Sequence, residues 1–202
     1  MNTVITIGRE FGSGGRELGR RLAEELKFEY YDNEVLTQIV QRTELSENYI
    51  REVVEGKSHR LFPITIEQTF NFTVDYNIRQ FQDIYKAQSD VIKDMANKSD
   101  CVIVGRCADY ILRNEGHRLF RLFIYADIES RIKRCFERAS EDENLDEKQM
   151  RKHILKVDKG RASYYEDYTL QKWGDKACYD MCFNTTNLVI EKIVPHIARI
   201  FR

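Results

Sequence analysis

The chain has 202 residues, 42% hydrophobic and 11% aromatic, which is enough to build the core of one ordinary domain. Its 32 lysines and arginines face 33 aspartates and glutamates, and this balance argues against a protein that coats DNA, RNA or anionic lipid with its whole surface. Only two prolines, Pro63 and Pro195, occur, so a Pro-rich tail or linker is not expected.

Residues 3–8 (TVITIG) read as a short buried strand closed by glycine. A glycine-rich turn, GREFGSGG from Gly8 to Gly15, leads to Leu18, Leu22 and Leu26 at the spacing of one helix face. Residues 28–32 suggest a second strand ending at Asp32, and a helical run follows from about 34 to 42. The stretch 44–98 reads as helical throughout, with Ser46 as one candidate cap and Phe62–Pro63 as another helix start. Strands are then expected at 101–104 and 119–125, with a helix over 128–139. Asp146 and Gln149 resemble a capping box that opens a long helix toward Tyr168. A strand at 179–184 and an amphipathic helix at 187–201 close the chain.

Strands alternating with helices predict an α/β fold of three layers: about five parallel strands with helices on both faces. The chain is expected to be a single domain over 1–202, with 44–98 as a helical insert. Five cysteines make an odd number, which argues against a disulfide framework. The apolar run around Val4, Ile5 and Ile7 is too short for a secretory core or a membrane span. A reduced, soluble, cytoplasmic protein is expected, with no nucleic-acid or membrane partner. Aromatics at 70–85 are expected in the core or on a dimer face, and the 60–97 helical region is the candidate homodimer surface.

The turn after the first strand carries the chemistry. Glycines at 8, 12, 14 and 15 let several amides converge at the positive end of the following helix, a site suited to phosphate. Arg9 and Arg16 flank it. The pattern GxxxxGK[ST] is not matched: with Gly14 as its second glycine, Gly15 stands at the lysine position, Arg16 at the hydroxyl position, and Glu17 follows. The pattern GxGxxG fails as well. A glycine-rich turn without a ligand is the simpler alternative. Arg131, Arg134 and Arg138, at i, i+3 and i+7, share a helix face; the alternative is a solvated face paired with Glu129, Glu137 and Glu141.

The segments ITIGREFGSGGRELGRRLAEEL, YYDNEVL, VIVGRCADYIL, ADIESRIKRCFER, DKGRASYY and CFNTTNLVIEKIV resemble, in collinear order, the cytidylate kinase-like family, a branch of the P-loop nucleoside monophosphate kinases. The resemblance implies a P-loop NTPase-like fold with a lid over 131–165. It implies ATP as donor with Mg²⁺, and a small nucleotide as acceptor. On this reading Gly12, Ser13, Gly14, Gly15, Arg16 and Glu17 bind the nucleotide, and Arg16 replaces the missing lysine. Arg131, Arg134 and Arg161 close on the phosphates. Arg106, Asp32 and Asp158 serve the acceptor; Asp32 is also a candidate Mg²⁺ ligand or helix cap. Cys107 stands where the family has an acidic residue that helps recognise the acceptor. Two further classes remain open: a phosphate-binding sensor that has lost catalysis, and a nucleic-acid module using the 131–138 face.

Overall fold

The protein is seen in a computed structural model that describes residues 1–43, 45–54, 71–138 and 145–202, with the backbone alone for 71–78. Five strands, β1 (Thr3–Arg9), β2 (Glu29–Tyr31), β3 (Cys101–Val104), β4 (Arg118–Tyr125) and β5 (Met181–Asn184), form one sheet in the order β2-β3-β1-β4-β5. Every neighbouring pair is parallel. Parallel strands need crossovers, and the crossovers bring helices onto both faces. Val4, Ile5, Thr6 and Ile7 of the central strand are accordingly all buried.

One face is covered by α1 (Gly15–Leu26) and α8 (Ile190–Ala198). Leu18, Leu22 and Ala23 meet Ile190, Val194 and Ile197 over Ile5 and Ile7. Each such leucine, fully buried, contributes about 1.5–3 kcal/mol. The other face carries α2 (Asn33–Thr43), α3 (Glu47–Val54), α4 (Asn71–Lys98) and the short α5 (Ala108–Ile111). Ile50, Val53, Ile84, Val91 and Ile92 pack there with Val4, Cys101 and Ile103. The helical stretch after α2 therefore forms a wall of the core. The expected helix start at Phe62–Pro63 lies outside the described residues, as does part of the 60–97 surface. The Ser46 hydroxyl accepts from the Tyr49 amide at 3.3 Å, as its capping role predicts.

Two helices complete the site's frame: α6 (Ile128–Phe136) and α7 (Glu147–Thr169). Asp146 and Gln149 form a reciprocal capping box at the start of α7. Ile132, Met150 and Ile154 bury one another and hold Phe11 of the glycine-rich turn against them. Helix α6 ends earlier than its apolar spacing suggests. Arg138 lies beyond it, its amide turned back to Cys135 O at 3.1 Å, so Arg138 does not continue the face of Arg131 and Arg134. Strand β5 is shorter than expected, because a 3₁₀ turn over Lys176–Cys178 precedes it. Among the described residues, no helix is long and apolar enough to cross a membrane.

Candidate phosphate site

The turn between β1 and α1 is held through its carbonyls. Arg9 O accepts from Arg161 at 3.2 Å, and Glu10 O from the Ser13 hydroxyl at 2.9 Å. Phe11 O accepts from Arg131 Nε at 2.7 Å, and Gly12 O from Arg134 at 3.0 Å. Ser13 O accepts from the Thr185 hydroxyl at 2.6 Å, and Gly14 O takes the first helical bond, from the Leu18 amide, at 2.9 Å. Six consecutive carbonyls are thus occupied. The amides divide differently. Those of Glu10, Phe11 and Ser13 have partners, whereas among the described residues no acceptor meets those of Gly12, Gly14 and Gly15. Carbonyls tied down and amides left over, at a helix N-terminus, define an anion cradle.

The glycines have a local cause. Gly12 and Gly14 adopt φ of 76° and 85°, where a side chain is strained. A Cβ on Gly14 would also come within 2.1 Å of Ile190 Cδ1. The cradle opens into a cleft of about 760 Å³, walled by Arg9, Phe11, Arg16, Arg134, Arg138 and Arg161 among others.

Arg131 stands apart from its expected place on the phosphates. It is buried, and its guanidinium binds Phe11 O, Asp158 and, at 3.1 Å, Glu10. Burial raises the Glu10 carboxyl's pKa and Arg131 opposes the rise. Arg134 is likewise a fastening residue, reaching Gly12 O and Thr185 O; burial, then repulsion from Arg138, lowers its pKa. Asp158 accepts from the Phe11 amide at 2.7 Å and from Arg131, so it braces the turn. Among the described residues the paired-surface alternative does not account for Arg131 and Arg134, since Glu129 pairs with Arg151 and Glu137 with Lys133; Glu141 lies outside the described residues. Glu17 lies beside the cradle but binds Arg21 and Arg138.

Next to the cleft, at the carboxyl ends of β1 and β3, lies a second, smaller cavity of about 80 Å³. Arg9, Arg16, Arg51, Arg106 and Arg161 line it, together with buried Asp109. Chains in such sheets leave to opposite faces at this point, here into α1 and α5, and the crevice between is where ligands bind. Arg106 takes a left-handed conformation, φ 61°, and its carbonyl is fixed by Gln88 at 2.9 Å. Asp109 accepts from Tyr165 at 2.7 Å; its pKa is raised, chiefly by burial, with the Tyr165 bond opposing. Burial pushes the Cys107 thiol up as well, so it stays protonated. The sequence reading missed Asp109, Tyr165, Arg51 and Thr185. One signal existed for Asp109, an acid inside the otherwise apolar run ADYIL.

Asp32 lies beside both cavities, against two arginines that line them, Arg9 and Arg16. It is buried, with Oδ2 2.5 Å from Arg16 Nε and Oδ1 3.8 Å from Arg9. It does not cap α2 with its side chain; its own amide donates to Glu34 at 3.0 Å. Among the described residues, no three His, Cys, Asp or Glu side chains gather as a metal cage. Mg²⁺ needs only one or two carboxylates when phosphate oxygens and water complete its shell. Asp32 meets that need in part: Oδ1 is buried without a hydrogen-bond partner, though Arg9 and Arg16 flank it.

These features are those of a P-loop kinase-like fold. The model of the cytidylate kinase-like family matches residues 4–187, and the chain belongs to that family. An uncharacterized protein from Eubacterium ventriosum superposes with a TM-score of 0.69 at 28% identity, covering 98% of each chain. Shikimate kinase from Bacteroides thetaiotaomicron gives 0.56 at 14% identity over 98% of each chain. Shikimate kinase from Acinetobacter baumannii, in complex with shikimate, gives 0.52 at 14% identity over 100% of this chain and 93% of that one. The last two are similar in fold alone. No curated protein sequence matches the chain.

Proposed function

We propose that the chain is a cytoplasmic, ATP-dependent phosphotransferase acting on a nucleoside monophosphate or a similarly small phosphorylated molecule. The observation that carries this reading is the turn itself: six carbonyls occupied, and the amides of Gly12, Gly14 and Gly15 left for an anion at the start of α1. Those amides would hold the donor phosphates, with Ser13 shaping the turn through Glu10 O. The arginine-lined cavity at the ends of β1 and β3 would hold the acceptor, with Arg106 and Arg161 on its phosphate and Asp109 accepting a hydrogen bond from it.

In the transfer an acceptor oxygen forms a bond to the γ-phosphorus while the bond to the β–γ bridging oxygen breaks, and that electron pair leaves on ADP. With an ionised phosphate oxygen as nucleophile, no proton has to move. The protein's part is positioning and charge stabilisation. Bound Mg²⁺ would neutralise the phosphate oxygens, and Asp32 is the residue to hold it. ADP release over a panel of nucleoside monophosphates and sugar phosphates tests the reading. Turnover with one acceptor class is expected; ATP binding without turnover on any acceptor would end the catalytic claim.

A second reading has a specific observation behind it. The loop has no lysine, and Arg16 lies on Asp32. A nucleotide-binding protein without transfer would show tight ATP binding unaffected by Arg16→Ala. A strong loss of turnover in that variant supports the kinase.

A further inference from the structure

Three arginines, Arg9, Arg16 and Arg161, wall both the outer cleft and the inner cavity. A phosphoryl group moving from a nucleotide in the first to an acceptor in the second has to pass them. They are not equivalent. The Arg16 side chain is 64% exposed and rests on Asp32, whereas that of Arg9 is 14% exposed.

Arg9 is also fixed in place by the backbone around it. It is the last residue of the central strand, and its stem runs under the first turn of α1, where a Cβ on Gly15 would come within 2.6 Å of Arg9 Cβ. Its head lies over the turn after β3, where a Cβ on Gly105 would come within 1.8 Å of an Arg9 terminal nitrogen. Gly105 therefore leaves a slot that the guanidinium fills. Arg161 fastens the carbonyl of the same residue.

Three of the four charged side chains that act most on Arg9 carry its own sign. Burial first, then repulsion from Arg161, lowers the pKa of Arg9; Asp32 opposes the fall, and Arg106 and Arg16 add to it. A buried cation with like charges so near it gains when an anion joins it.

Building on the phosphotransferase reading, we propose that Arg9 is the resident cation of the transfer point. Its guanidinium binds the terminal phosphoryl group between cleft and cavity, and so does from the strand side what the loop, lacking a lysine, cannot do. A fixed fork matches two phosphoryl oxygens at once and needs little reorganisation as charge develops. Arg16, exposed and held on Asp32, is secondary.

The test compares ATP with ADP, because only ATP carries the terminal group. Calorimetric titration of each nucleotide into the wild-type chain, Arg9→Met and Arg9→Lys reads the effect. The wild type is expected to bind ATP more tightly than ADP. Arg9→Met should weaken ATP by about tenfold or more while ADP changes by less than about threefold, and Arg9→Lys should fall between. Equal losses for both nucleotides, or none, would overturn the assignment and leave the phosphotransferase reading standing. A wild-type chain that binds neither nucleotide would overturn both. If Arg9→Met fails to fold, Arg9→Lys decides by the same ratio.

Discussion

The outer cleft and the inner cavity present positive charge in opposite ways. In the cleft the donors are backbone amides, and side chains act behind them: Arg131, Arg134 and Thr185 fasten the carbonyls of Phe11, Gly12 and Ser13. In the cavity the donors are the side chains themselves, Arg9, Arg106 and Arg161, with Asp109 in the same wall, Asp32 3.8 Å from Arg9 and Asp158 4.0 Å from Arg161. The first arrangement stabilises the protein before any ligand arrives, because each fastening satisfies a buried group. The second gathers more cationic than anionic side chains in its wall, which favours an entering anion. Substitutions in the cleft's supports should therefore register as stability, and substitutions in the cavity as ligand dependence.

The largest effect is expected for Arg131→Met. It leaves Glu10 and Asp158 without their buried cation and Phe11 O without a donor. Breaking a buried pair from one side costs about 3–5 kcal/mol. Urea unfolding measures it, and a loss below about 1 kcal/mol would show that the fastening is not structural. Gly14→Val comes next, at about 2–4 kcal/mol, because it combines a strained φ with a collision on Ile190. Thr185→Val follows, at about 1–2 kcal/mol, since it removes the hydroxyl that binds Ser13 O and Tyr125 O in a fully buried position.

The contrast between the two regions also explains what could be read from the chain beforehand. The sheet and its helices were legible because Val4–Ile7, Cys101–Val104 and the Leu18/Leu22 stripe are local patterns with local consequences. The cradle was legible as a concentration of glycine. Its fastening was not. Arg131 and Arg134 stand on a helix more than a hundred residues away in sequence, and periodicity alone cannot tell a guanidinium that meets a ligand from one that meets a carbonyl. Asp32 directly follows β2, which ends at Tyr31, but its pairing with Arg16 depends on two turns that approach only in the folded sheet. The cavity was half legible: Arg106 follows a buried strand and a glycine, whereas Asp109 and Tyr165 meet from α5 and α7.

Asp109 gives the cavity its own signature in pH. Its folded pKa lies above the ordinary value of 3.8, so between that value and the raised one the folded chain binds more proton than the unfolded chain. Its contribution to stability is therefore greatest below the window and declines as pH rises through it. Asp127 and Asp180 have lowered pKa values and run the other way, so the comparison has to be made within one background. Unfolding measured against pH for the wild type and Asp109→Asn should give curves that converge toward acid, with the variant relatively more stable toward neutral pH. A constant offset at every pH would mean that the carboxyl pays no burial penalty.

The smallest effect tests the element that the two regions share. Helix α7 lines the cleft with Met150 and His153 near its start and the cavity with Tyr164 and Tyr165 near its end. Asp146→Ala removes half of the capping box, at a cost of about 1 kcal/mol. The loss falls on the first turn, and helix ends open locally before the whole chain unfolds. Amide exchange should therefore quicken around Met150 and in the Phe11 turn that packs on it, while amides near Tyr164 and Tyr165, tied to Gln88 and Asp109, keep their protection. Uniform loss along α7 would mean that cleft and cavity open as one unit, and that the separation between backbone and side-chain donors is one of chemistry and not of stability.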